Sequence, residues 1–282
     1  MNKLILKRII LLIALLLPIQ LWAQIPYGNN PETGKFIQTK DAKIYYEIYG
    51  SGEPLLLIHG SLYGYINEFE NIFPLLIKNH KVIAVALRGH GKSEIGDRDY
   101  NYDLFAQDMI EVLNAEQIDR IDIMGFSSGA ITAVKLAADY PDRVMKVVSI
   151  AGALNATDKR PETKQQQKEM TADEFIANNN KFVENRKKLM PEPDRFTDFY
   201  GKLMKVDSDP IWISEEAASK IKAPVLVVGG DRDGYFPVEA FLKMYVVIPE
   251  SKLLILPGDG HVAASQNKAM YIDFALPFLD AN

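Results

Sequence analysis

The pentapeptide Gly125-Phe126-Ser127-Ser128-Gly129 constrains this chain more than any other stretch. It follows an apolar run, Ile121-Asp122-Ile123-Met124, and leads into a helical pattern from Ala130 to Tyr140. A strand, a Gly-x-Ser-x-Gly turn and then a helix bend the backbone so sharply that the central serine is strained. Residues two places to either side of it must be small. Gly125 and Gly129 meet that demand around Ser127, whereas centring on Ser128 would put Phe126 and Ala130 at the small positions. Ser127 is thus expected to project above a sheet edge, either as a nucleophile or simply as part of a serine-glycine turn.

The flanking chain supplies the sheet. Lys35–Lys40 and Ala42–Tyr49 alternate apolar and polar residues, the pattern of a half-buried antiparallel hairpin. Pro54–Ile58, Lys81–Leu87, Ile118–Met124, Val144–Ala151 and Ala223–Gly230 are apolar runs of strand length, as expected of strands buried on both faces, and Lys252–Leu256 reads as the last strand. Helical patterns lie between them at Asn67–Lys78, Tyr102–Leu113 and Val238–Val246, and Val262–Leu279 closes the chain. This alternation predicts an α/β fold with a doubly wound, mostly parallel sheet, opened by an antiparallel hairpin.

Composition changes between Asn155 and about Asp209, which is rich in Lys, Glu, Gln and Asn. A capping box, Thr171-Ala172-Asp173-Glu174, starts one apolar stripe (Phe175, Phe182, Leu189), and Phe196, Phe199, Tyr200, Leu203 and Met204 form a second. A pair of surface helices in a crossover would satisfy the pattern. Because so long an insert separates two buried strands, a helical lid over residues 155–210 is expected, with 24–154 and 211–282 as the core.

The first 23 residues are of another kind. Lys3, Lys7 and Arg8 precede an unbroken apolar run, Ile9–Leu17, and Leu21-Trp22-Ala23 ends on a small residue. This is the layout of a secretory signal peptide, cleaved between Ala23 and Gln24. Pro18 and Gln20 interrupt the run before the roughly 20 apolar residues that a spanning anchor needs. The expected mature protein is exported, periplasmic or secreted, without membrane contact, and its formal charge falls from −5 to −8 on loss of three cations. That charge argues against nucleic acid as a partner. The chain has no cysteine, which excludes disulfides, thiolate catalysis and lipid attachment through sulfur.

A serine hydroxyl needs a base to take its proton and a third group to orient that base. Of the four histidines, His80 stands at a helix end beside lysines and is expected to be solvated. His59 and His90 neighbour glycines in tight loops, where structural hydrogen bonds are expected. His261 follows the last strand and so falls in a loop at the carboxyl edge, where catalytic groups of open α/β sheets gather. It is the expected base. Val225–Asp233 ends on two candidate acids, Asp231 and Asp233, and Asp259 is a third. Spacing does not choose between the first two.

Taken together, His59-Gly60-Ser61, Arg88-Gly89-His90-Gly91-Lys92-Ser93, the Ser127 turn, Gly230-Asp231-Arg232-Asp233 and Gly260-His261 make the chain similar to the α/β-hydrolase superfamily. The resemblance covers nearly all of residues 35–282 outside the insert and keeps the order serine, acid, histidine. It departs in carrying Ala86 where an aspartate commonly precedes the Arg-Gly-His-Gly loop.

The resemblance implies Asp233 as the acid, and backbone N–H groups of Ser61 and Ser128 as oxyanion donors. It further implies hydrolysis of a carboxylic ester in a small-molecule substrate through an acyl-enzyme, with no cofactor and no metal. An aminopeptidase or amidase, a lactonase, a cofactor-free haloperoxidase and a non-catalytic binding module are the alternatives. Ser127 disfavours the branches with an aspartate nucleophile, and His59-Gly60-Ser61-Leu62-Tyr63-Gly64 differs from the His-Gly-Gly-Pro-Gly loop of proline iminopeptidases. Tyr63, Tyr65, Phe126, Tyr235, Phe236 and Val262 flank the motifs, as pocket lining or as core.

Overall fold

The protein is described by a computed structural model covering residues 25–281. The expected signal over 1–23 and its cleavage point lie outside the described residues.

Eight strands form one sheet in the order β1-β2-β4-β3-β5-β6-β7-β8. They are β1 Gly34–Gln38, β2 Lys43–Tyr49, β3 Glu53–Ile58, β4 His80–Val85, β5 Ile121–Phe126, β6 Val144–Ile150, β7 Val225–Gly230 and β8 Ser251–Leu256. β1 and β2 pair antiparallel, β2 meets β4 antiparallel, and all later pairings are parallel. Successive residues of the central strands point to opposite faces, and both faces are covered. Leu56 and Ile58 join one buried cluster, while Leu55 and Leu57 join the other. This is why these strands read as unbroken apolar runs rather than alternating ones.

On one face lie α1 (Tyr102–Ala115) and α2 (Ser128–Asp139). Asn101 caps α1 by accepting the Leu104 N–H at 2.7 Å. The insert between β6 and β7 contributes α3 (Pro161–Glu169), α4 (Ala172–Asn178), α5 (Asn180–Lys187) and α6 (Phe196–Ser208). Then α7 (Val238–Val247) follows β7, and α8 (His261–Gln266) follows β8. The insert packs on the sheet through Phe175, Val183, Phe196, Phe199 and Leu203, all buried in the same cluster as α1 and α2.

Several expected helices are broken. Asn67–Lys78 is a 3₁₀ turn at Ile66–Phe69 and a single α-turn at Phe73–Leu76, with Pro74 in the first turn of the latter. The first stripe of the insert divides at Asn179, whose ψ of 30° breaks the run between α4 and α5. The closing helix stops at Asn267, which has ψ 94° and caps a new turn by accepting the Met270 N–H at 3.1 Å. In each case the apolar spacing continues across the break, so periodicity alone could not mark it. His80 is likewise not solvated: it is buried, with Nδ1 3.2 Å from the Leu76 carbonyl and Nε2 3.5 Å from Asp280 Oδ1.

Candidate active site

The strand order determines which loops meet. β3 lies between β4 and β5, so the chain reverses direction across the sheet at β3, and crevices open at the carboxyl ends of strands at such a switch point. Ile58 pairs with Gly125, which sets the His59-Gly60-Ser61 loop beside the Ser127 turn. Gly230 pairs with Leu256 at the other end, and the Arg232 N–H donates to the Asp259 carbonyl at 3.0 Å. The loops bearing Asp233 and His261 are thereby brought together.

Ser127 sits at φ 52°, ψ −117°, between β5 and α2. A non-glycine residue held at positive φ stores about 1–3 kcal/mol of strain. The two glycines are required by contact: a Cβ on Gly125 would strike the Gly129 backbone, and one on Gly129 would strike the carbonyls of Ile58 and His59. Ser127 is locked further by its N–H, which donates to the Ile150 carbonyl at 2.8 Å.

Ser127 Oγ lies 3.0 Å from His261 Nε2, and His261 Nδ1 lies 2.7 Å from Asp233 Oδ2. The other carboxylate oxygen of Asp233 accepts the N–H groups of Tyr235 at 2.7 Å and Phe236 at 2.9 Å. Asp233 is buried and so has a single orientation, aimed at the imidazole. Asp231 instead accepts the Gly258 N–H at 2.7 Å, and Asp259 accepts from Asn267 Nδ2 at 2.6 Å; both fasten turns. The His261 ring is packed by Phe126, Tyr235 and Phe236, with centroids 5.0, 4.5 and 6.0 Å away.

The amides of Ser61 and Ser128 have no hydrogen-bond partner among the described residues. Ser128 is the first residue of α2, where the N–H has no intrahelical acceptor and the helix dipole favours negative charge. Both residues line a cavity of about 110 Å³ with Ser127 and His261. Its walls include Tyr63, Phe126, Tyr235, Phe236 and Val262. Tyr65 is absent from these walls and lies under the Arg186 guanidinium, 5.5 Å from ring centroid to carbon.

His59 and His90 are structural, as expected. The Leu87 N–H donates to His59 Nε2 at 3.0 Å, and His59 Nδ1 faces the Gly60 carbonyl at 2.6 Å. Burial pushes the His59 imidazole down to about 3, so it stays neutral.

Two residues that the motifs did not flag hold the loop bearing Ser61. Glu68 accepts the Gly60 N–H at 2.7 Å and lines the cavity. Arg186 reaches from α5 and donates to the carbonyls of Leu62 and, at 2.7 Å, Gly64. Nothing local marks either residue, because each is polar within an amphipathic stretch and only packing buries it.

Burial pushes the Glu68 carboxyl up to about 7, with the Gly60 N–H and the Arg186 charge opposing the shift. A carboxyl raised from 4.5 contributes its full share to stability below pH 4.5 and loses it as pH climbs through 7. Glu68→Gln keeps the acceptor and removes the titration. Between pH 5 and 8 the variant should therefore gain about 1–3 kcal/mol on the wild type, allowing for screening at the cavity side. Urea unfolding at both pH values measures this; parallel stability curves would overturn it.

Comparison with known proteins agrees with this architecture. A family described as alpha/beta hydrolase fold matches residues 53–188. The chain is 26% identical over 281 residues to a 2-hydroxy-6-oxononadienedioate/2-hydroxy-6-oxononatrienedioate hydrolase 2 of Pseudomonas putida, covering 85% of this chain and 92% of that protein. A 2-hydroxymuconate semialdehyde hydrolase of Pseudomonas sp. strain CF600 is 35% identical over 129 residues, a match spanning 44% of this chain and 45% of that protein. The structure of a carboxylesterase from Bacillus subtilis superposes with a TM-score of 0.70 at 18% identity, covering 88% of this chain and 92% of that one. With the family match over residues 53–188 and the eight-stranded sheet in agreement, this chain is a hydrolase with the α/β-hydrolase fold.

Proposed function

We propose that this protein cleaves a carboxylic ester by acyl transfer to Ser127, outside the cytoplasm and after removal of residues 1–23. The observation that carries the reading is the unbroken run from Ser127 Oγ through His261 to the buried Asp233, at 3.0 and 2.7 Å.

Ser127 Oγ attacks the ester carbonyl as His261 Nε2 takes its proton, and Asp233 stabilises the imidazolium through Nδ1–H. The carbonyl oxygen becomes an alkoxide held by the N–H groups of Ser61 and Ser128. Each such donor is worth about 100- to 1000-fold in rate. Collapse expels the alcohol, which receives the proton from His261, and leaves an ester on Ser127. A water then attacks the acyl carbon, giving its proton to His261, and a second collapse expels Ser127 Oγ, which takes that proton back from His261 as the carboxylic acid is released. The four steps consume one water and restore the enzyme. The insert serves as the roof of the cavity, through Lys159, Gln167, Met204 and Asp207.

A fluorophosphonate probe should label Ser127 in the wild type and fail in His261→Ala. p-Nitrophenyl acetate should turn over faster than aminoacyl anilides; the reverse order would replace the esterase reading with a peptidase one. An N-terminus at Gln24 in protein recovered from outside the cytoplasm tests export, and retention of Met1 would refute it. A second reading, hydrolysis of a 2-hydroxy-6-oxo-dienoate, is supported by the curated relatives named above. Turnover of such a compound faster than of any ester would favour it.

A further inference from the structure

The cavity at Ser127 is small, about 110 Å³, yet a cleft of about 780 Å³ lies in the insert immediately beyond it. Sites for drug-sized ligands run from about 300 to 1,000 Å³, so the first space suits only a short group and the second a much longer one. Gln167, Met204 and Asp207 line both spaces and so form the partition between them.

The polar part of the partition is fastened. Gln167 Nε2 donates to Asp207 Oδ2 at 3.0 Å, while Lys159 Nζ donates to Gln167 Oε1 at 2.9 Å and pairs with Asp207 Oδ1 at 3.2 Å. Lys159 is itself buried and stacked over Trp212, 5.2 Å from the ring centroid. Met204, by contrast, has no polar anchor, is half-buried, and has the unbranched thioether chain that changes rotamer most readily. Beyond it the cleft presents Met170, Ala156, Ala172 and Tyr200. These surfaces suit an aliphatic chain.

Resting on the ester reading above, we infer that the cleft beyond Met204 is a second subsite, which takes the distal part of a medium- or long-chain aliphatic acyl group. Met204 acts as a gate between this subsite and the Ser127 cavity. The acyl side is indicated by the position of the base. A leaving alcohol must take its proton from His261 Nε2, so it departs past the rings packed on that histidine, Phe126, Tyr235 and Phe236. The cleft shares none of those residues. Only the acyl substituent, on the other side of the carbonyl carbon, is free to extend into it.

Gly201 allows a test that leaves the partition alone. It lines the cleft but not the Ser127 cavity, and a Cβ there meets nothing within 4 Å. Gly201→Trp should fill the cleft without removing a contact. The ratio of kcat/KM for p-nitrophenyl octanoate to that for the acetate should then fall roughly tenfold or more, the scale on which apolar pockets discriminate. Met204→Ala should raise the same ratio. In parallel, dodecanoate binding to the Ser127→Ala protein, read by calorimetry, should weaken about tenfold when Gly201→Trp is added. The calorimetry does not depend on turnover. Failure of all esters to react, with dodecanoate still bound and displaced by Gly201→Trp, would sink the esterase reading and leave the subsite standing. A ratio and a dodecanoate affinity both unchanged in Gly201→Trp would overturn the subsite.

Discussion

Ser127→Ala should lower kcat for p-nitrophenyl acetate by roughly 10⁴- to 10⁶-fold, because Ser127 is the cavity hydroxyl hydrogen-bonded to His261. What survives is stabilisation by the Ser61 and Ser128 amides, worth about 10³–10⁴-fold over water in related triads. The loss should appear in kcat rather than KM, since Oγ makes its decisive bond only on the way to the tetrahedral intermediate. Alanine retains a Cβ and therefore the strain at φ 52°, so the melting temperature should barely move. Glycine at the same position relieves the strain, and Ser127→Gly should be equally inactive but more stable, by about 1 kcal/mol or more. An alanine variant within tenfold of wild type would remove Ser127 from the mechanism altogether.

The second large effect concerns stability. Arg88 is fully buried, and its guanidinium makes a two-pronged contact with Asp108, at 2.5 Å from Nε and 2.8 Å from Nη2. Nη1 reaches Asp41 at 2.9 Å. Asp108→Ala removes the principal counter-charge and leaves a buried cation with Asp41 as its one remaining ion-pair partner and a hydrogen bond to Thr39 Oγ1 at 3.2 Å. Breaking such a pair typically costs about 3–5 kcal/mol, far more than an exposed pair is worth. For a domain of this size that corresponds to a fall in melting temperature of roughly 6–20 °C. Urea unfolding of Asp108→Ala checks it, and a loss below about 1 kcal/mol would show that solvent reaches Arg88 after all. The damage should extend to the insert, because the loop after Arg88 supports it: His90 meets Phe199 of α6 edge-on at 4.9 Å. The buried pair also gives the Arg-Gly-His-Gly loop its footing.

The parts of the molecule that could be read in the chain are those governed by short-range physics. Unbroken apolar runs announce strands covered on both sides, and β3 through β7 are covered in that way. The two glycines around Ser127 announce a turn in which a Cβ cannot fit, and the backbone contacts at Gly125 and Gly129 are that exclusion in space. The capping box at Thr171 likewise forms as written, with Glu174 Oε2 3.0 Å from the Thr171 nitrogen.

Breaks within apparently continuous stripes were less legible. At Asn179 and Asn267 the apolar spacing runs on while the backbone does not, since a turn is set by one residue's dihedral angles and periodicity averages over many.

The chain by itself determined the sheet, the strained serine and the histidine after the last strand, because neighbouring residues and alternating burial specify them. Residue spacing leaves Asp231 and Asp233 open; the resemblance points to Asp233, and it is the tertiary structure that turns Asp233, and not Asp231, toward His261. It alone also recruited Glu68 and Arg186 to the loop carrying Ser61, and set a wide cleft behind Met204. The reason is common to all of these. Where a loop side chain points, and what a polar residue on an amphipathic helix meets, depends on groups brought up from other elements of the fold, as Asp233 does on His261 after the next strand and Arg186 on Gly64 across the sheet edge. The contact of Arg186 exists only with the insert packed over the carboxyl edge of the sheet.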